Sequence, residues 1–184
     1  MKNCILFLLT ILSVSSYAQG KFGSADYDNL KELKGTDYVV TSVEAWGKIT
    51  KLSAYLLFVN TRTGEQYRID FPKDAYIERV EQVKLDSLGI NRVVVTAKTV
   101  DLNGNKSINW NDPRQVMVLS TDGKEKIQTE DRFFSVSWVL NNQTGAIVVT
   151  GKFDTNGNGK LDKEDENAVV VYDLKTMKQL TKTP

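Results

Sequence analysis

Asp154, Asn156, Asn158, Lys160, Asp162 and Asp165 lie in one twelve-residue stretch, DTNGNGKLDKED. Numbered from Asp154, they stand at positions 1, 3, 5, 7, 9 and 12. The spacing suits a hard divalent cation. Ca²⁺ takes about six to eight oxygens from carboxylates, amide carbonyls and main-chain carbonyls. Short Asp and Asn side chains at alternate positions can turn inward together. Lys160 supplies an oxygen through its carbonyl, without its charged side chain. Gly159, at position 6, permits the sharp turn that wraps an ion. Leu161, at position 8, is expected to pin the loop to a core. Ca²⁺ is therefore the expected cofactor. A solvated turn is the alternative, because Asp, Asn and Gly favour turns without any ion. Hairpin connections, however, usually need only about two to five residues.

A second stretch, DLNGNKSINWND, repeats the frame with Asp101, Asn103, Asn105, Ser107, Asn109 and Asp112 at positions 1, 3, 5, 7, 9 and 12. Ile108 takes the place of Leu161. Lys106 replaces the position-6 glycine, and Asp101 and Asp112 are the only carboxylates. This loop is expected to be the weaker site. Two chance turns would not be expected to share one frame at one place in a repeat. Both loops resemble EF-hand and dockerin calcium loops, with Asp rather than Glu at position 12 and strands rather than helices leading in.

Other chemistries have little to work with. The 184 residues contain no histidine and one cysteine, so His-based triads, Cys-His dyads and intramolecular disulfides are excluded. Lys plus Arg is 24 against 23 for Asp plus Glu, which offers nucleic acid no basic footprint. Trp46 and Trp110 are candidate platforms for a carbohydrate or peptide, or packing over a hairpin. Glu78, Glu81, Glu130 and Asp131 are candidate paired carboxylates for glycoside hydrolysis, or ordinary surface acids.

The loops need elements to hold them, and those elements form a tandem repeat. Residues 93–127 align with residues 147–180 as apolar β-branched run, polar loop, apolar run, turn and final short run. Upstream, Val83-Lys84-Leu85 matches Val136-Ser137-Trp138. The expected fold is all-β, with two clear four-stranded antiparallel units and one degenerate unit. Strands are expected near 79–85, 92–100, 115–120 and 124–128, and near 132–138, 146–153, 168–174 and 178–182. The runs Val93–Val95 and Val169–Val171 do not alternate, which suits strands buried on both faces. A degenerate first unit is read from Val39, Val40 and Val43, followed by a strand-turn-strand over Leu56–Ile69. A short helix is expected near 28–35, capped by Asp28, carrying Leu30 and Leu33 on one side and ended by Gly35.

Trp138, Gly145 and Ile147-Val148-Val149 give the unit a further likeness. It resembles the β-propeller repeat of TolB-like proteins, in which a Trp closes the first strand, a glycine turn follows and an apolar strand comes next. Lys84 stands where the second unit would carry that Trp. The resemblance implies propeller-like blades, at most three and so too few to close a ring within one chain; either blades pair between two chains, or three four-stranded sheets pack as an open, non-propeller β-structure.

Residues 1–18 read as a secretory signal peptide: Lys2, an apolar run from Ile5, and Ser16-Tyr17-Ala18 before the cut. Cleavage would remove Cys4 and leave no membrane span. Residues 19–35 are then an N-terminal segment. Residues 36–184 form the β-repeat domain, with units near 36–70, 76–128 and 131–182. The function expected is that of a secreted or periplasmic calcium-binding protein with a structural or ligand-binding role and a protein or carbohydrate ligand. A non-enzyme is favoured over a polysaccharide hydrolase. An assembly subunit is the other alternative, because an uncovered face on the third unit would favour a homodimer.

Overall fold

Valine-rich runs separated by Asn, Asp and Gly turns produce hairpins, because β-branched side chains fit a pleated sheet and the turn residues accept positive φ. The computed structural model describes residues 25–46 and 51–183. The signal-peptide reading of 1–18 lies outside the described residues. The first sheet contains β1 (Ala25–Glu32), β2 (Tyr38–Trp46), β3 (Lys51–Asn60) and β4 (Gln66–Phe71). The second contains β5 (Tyr76–Leu85), β6 (Ile90–Lys98), β7 (Gln115–Leu119) and β8 (Lys126–Gln128), with a 3-10 turn at Asp86–Leu88. The third contains β9 (Phe133–Asn141), β10 (Ala146–Phe153), β11 (Glu166–Asp173) and β12 (Lys178–Thr183). Each sheet is a four-stranded antiparallel meander in chain order. The fold is all-β, as expected. No helix of the described residues is long and apolar enough to cross a membrane.

The second sheet is the middle layer. Val93, Val95, Ala97, Met117 and Leu119 join Leu33, Val40, Leu56 and Phe58 of the first sheet and its turn in one core. On the opposite face Val94, Val116 and Val118 meet Ile147, Val149, Val170 and Tyr172 of the third sheet in another. Val93–Val95 is therefore buried on both faces, as its lack of alternation implies. Val169–Val171 is not. Val170 is buried, but Val169 and Val171 are half-buried, because no described residues form a fourth layer there.

The helix expected near 28–35 is replaced by β1. Ala25–Asp28 and Lys31–Glu32 pair with β2, with a register shift between Asp28 and Lys31. Asn29 takes a φ of 59° at that irregularity. Leu30 and Leu33 do not share a face: Leu30 is 69% exposed and Leu33 1%. Two leucines in an eight-residue segment give an isolated helix little to bury, and short helices are marginal. The turn at Gly35 (φ 76°), with Leu33 N–H donating to the Tyr38 carbonyl at 3.0 Å, lets the chain pair with β2 instead.

Candidate metal centre

Each polar loop joins the second and third strands of its sheet: residues 99–114 connect β6 to β7, and residues 154–165 connect β10 to β11. Within each loop, side-chain oxygens fold back onto main-chain N–H groups. In the third-sheet loop Asp154 accepts from Asn158 N–H at 3.1 Å and Gly159 N–H at 3.1 Å. Asn156 Oδ1 accepts from Asn158 N–H, and Asn158 Oδ1 from Lys160 N–H. Asp162 Oδ1 accepts from Glu164 N–H, and Asp165 Oδ2 from Asp162 N–H at 2.8 Å.

The second-sheet loop makes the same bonds position for position. Asp101 accepts from Asn105 and Lys106 N–H, Asn103 from Asn105, and Asn105 from Ser107. Asn109 accepts from Asn111, and Asp112 Oδ2 from Asn109 at 2.8 Å. The shared sequence frame is thus a shared hydrogen-bond frame.

Positions 3, 5 and 9 also converge in the third-sheet loop. The Asn156 and Asn158 amides donate to Asp162 Oδ2 at 3.2 and 2.6 Å. The Asn158 amide, with the Glu164 N–H, holds the Asp162 carboxyl below its ordinary value. Asp154 and Asp165 are both buried. Among the described residues, no group of three or more His, Cys, Asp or Glu side chains clusters so as to hold a metal ion. Oxygens for a hard cation would have to come partly from Asn156, Asn158 and the Lys160 carbonyl. That donor set fits the oxygen preference of Ca²⁺.

The two loops differ at position 12. Asp112 Oδ1 accepts from Leu102 N–H and the Asn103 amide, both at 3.1 Å. Asp165 Oδ1 is buried and has no hydrogen-bond partner. A buried carboxylate oxygen without a donor is costly, and a cation would relieve that cost. The third-sheet loop also has Asp154, Asp162 and Asp165, against Asp101 and Asp112 in its counterpart.

Glycine at position 6 serves a second purpose. Gly159 has a φ of 69°, and a Cβ there would lie 2.6 Å from the Leu102 carbonyl oxygen and 2.7 Å from Asn103 Cα. The two loops therefore touch through backbone. Lys106 adopts φ 71° at the equivalent position despite its side chain.

Sequence reading missed two supports. Lys98 and Lys152 occupy equivalent places near the ends of β6 and β10. Lys98 Nζ donates to the Asp112 carbonyl at 2.5 Å, and Lys152 Nζ to the Asp162 and Asp165 carbonyls at 2.8 and 3.3 Å. Burial holds the Lys98 ammonium below the usual lysine value, and nearby Arg114 acts in the same direction. The signal was present as a lysine at the same repeat position, three residues after the Val93–Val95 and Ile147–Val149 runs. The other support is Arg132. Its guanidinium donates to the Asp154 carbonyl, and its Nε lies 3.8 Å from Asp154 Oδ2.

Leu161 is not a core pin. It is 52% exposed and faces a cavity between the loops, while Ile108 is half-buried. The strands flanking the loop already fix its ends, through the paired register of Phe153 and Glu166. Trp110 is 81% exposed rather than packed over a hairpin. The Trp46 side chain lies outside the described residues. The candidate acids are each engaged: Glu78 with Arg114 at 2.6 Å, Glu81 with Arg79 at 2.7 Å, Glu130 with Lys182 at 3.0 Å and Asp131 with Gln115 at 2.7 Å.

No family model matches the chain, and no curated protein matches it as a relative.

Proposed function

We propose that this chain is a secreted or periplasmic calcium-binding β-repeat protein with a structural or ligand-binding role. Its sheets act as propeller-like blades, and its two polar loops are the ion sites, the one at 154–165 the stronger. One observation carries the reading: the same six side-chain-to-backbone hydrogen bonds recur in both loops. A frame of this kind holds the side chains of positions 1, 3, 5, 9 and 12 within one loop, and Asp165 Oδ1 supports the ion by lacking any other partner. Bound Ca²⁺ would neutralise Asp154, Asp162 and Asp165 and fix the β10–β11 connection. It would stabilise the native state by mass action.

Calorimetric titration of the purified protein with CaCl₂ tests this. The result expected is saturable binding with one strong site per chain, lost in Asp165→Asn and retained in Asp101→Asn. Absence of binding at millimolar calcium would remove the reading. A role as an assembly subunit is favoured by a separate observation. Val139, Val148 and Val171 stand in register across the outer face of the third sheet, and Val139 is 63% exposed.

A further inference from the structure

We propose that the cleft between the second and third sheets, beside the two loops, binds a neutral oligosaccharide. This names the ligand class within the ligand-binding role above. It does not depend on whether the loops hold calcium.

Two adjoining cavities, of about 570 and 890 Å³, share Arg114, Ser135 and Val136 in their walls. Volumes of this order match sites for small organic ligands. At the mouth of the larger one stands Trp110, with 81% of its surface open to solvent. A tryptophan this exposed is unusual, because its indole loses hydrophobic burial. The Tyr76 ring stands 6.1 Å away, tilted by 54°, and backs one side of the indole. The indole thus offers an apolar plane, which suits the C–H-rich face of a pyranose ring.

The smaller cavity carries the complementary polarity. Among the described residues, three buried side-chain oxygens lack a hydrogen-bond partner. One belongs to the metal loop. The other two, Glu78 Oε1 and Ser135 Oγ, both belong to residues lining this cavity. Buried polar atoms are almost always paired in native proteins, so unpaired ones call for a partner. Glu78 Oε1 requires a donor, whereas the Ser135 hydroxyl can donate or accept. Sugar hydroxyls do both.

Charge points the same way. Arg114 already neutralises Glu78 across 2.6 Å, and Lys98 is committed to main-chain carbonyls. The Glu78–Arg114 pair therefore offers hydrogen bonds with no net charge of its own, and Lys160 is a further cation in the wall of the larger cavity. An extended peptide would instead have to pair with the edge of β9, and nothing in this polarity selects it.

The test is titration of the full chain with soluble cello-, manno-, malto- and xylo-oligosaccharides, read by calorimetry and tryptophan fluorescence, in calcium and again in EDTA. At least one series should bind and perturb the fluorescence. Trp110→Ala should weaken that binding roughly tenfold or more, as removal of an aromatic anchor does. Ser135→Ala removes an oxygen that has no partner in the protein, so the fold should persist while affinity falls roughly fivefold. Failure of all four series at millimolar sugar would overturn the proposal. So would undiminished binding in Trp110→Ala, or binding of extended peptides with no sugar binding. Sugar binding unchanged by EDTA leaves this proposal standing even if the calcium reading fails, whereas calcium binding without sugar binding removes this proposal alone.

Discussion

Asp165 has one carboxylate oxygen held by the Asp162 N–H and one buried without a donor. In the absence of an ion that second oxygen is a cost to the fold; beside an ion it is a ligand. Asp165→Asn separates the two conditions. It keeps an acceptor for Asp162 N–H but removes a buried charge. We expect its calcium-free melting temperature to equal or exceed that of the wild type, and its calcium-induced shift to be largely lost. A mere structural turn residue would show the reverse, with lower calcium-free stability and an unchanged shift. Tyr172 is a second residue whose surroundings can be tested directly. Burial in the core between the second and third sheets, together with Glu130, pushes its phenol up to about 12 from 10.0. The hydroxyl donates to the Gln128 carbonyl at 3.1 Å. Between those two values the unfolded chain has lost the proton and the folded chain has kept it, so stability falls as pH rises. Chemical denaturation at pH values from 9 to 12 (about the span set by these pKa values) should show this loss. Tyr172→Phe should flatten it, while costing about 1 kcal/mol at neutral pH through the lost hydrogen bond.

The loops show what a sequence frame can and cannot convey. The alternate Asp and Asn positions could be read directly because Asx side chains bond to N–H groups two to five residues ahead, which is a local rule. Local rules could not show that Gly159 abuts Leu102 and Asn103, since that contact joins two repeats. Nor could they predict that Leu161 would face a cavity rather than a core, or that Lys98 and Lys152 would tie the loop ends to their strands. β1 escaped for a similar reason. Its leucine spacing has a helical look, but pairing with β2 and burial of Leu33 between two sheets decide its state. Lys106 holds φ 71°, where a side chain costs on the order of 1 kcal/mol. Lys106→Gly should raise stability slightly, by up to about 1 kcal/mol after the entropy of glycine is counted. Gly159→Ala should lower it by on the order of 2–3 kcal/mol, because strain and a backbone clash coincide. Urea unfolding of both variants checks the pair, and equal effects would mean that loop-loop contact is unimportant.

Across the whole molecule, the middle sheet is buried on both faces and the third on one. The repeat was legible because Val93–Val95 and Val169–Val171 occur in matching places, yet the same pattern gave no sign that only the first run would be covered twice. The outer row Val139–Val148–Val171 is the consequence. If a second copy covers it, light scattering at micromolar concentration should give the mass of two chains, and Val139→Lys should give one. A single-chain mass for the wild type at high concentration would remove the homodimer from the account. The loops lie between strands of the two sheets that share the larger core, so ion binding should be felt as global stability. The most direct measurement is therefore the melting temperature with calcium and then with EDTA. At free calcium about ten times the dissociation constant, mass action gives ~1.4 kcal/mol, roughly 3–5 °C for a domain of this size. The account predicts that rise and its reversal by EDTA; an unchanged melting temperature at millimolar calcium would contradict it.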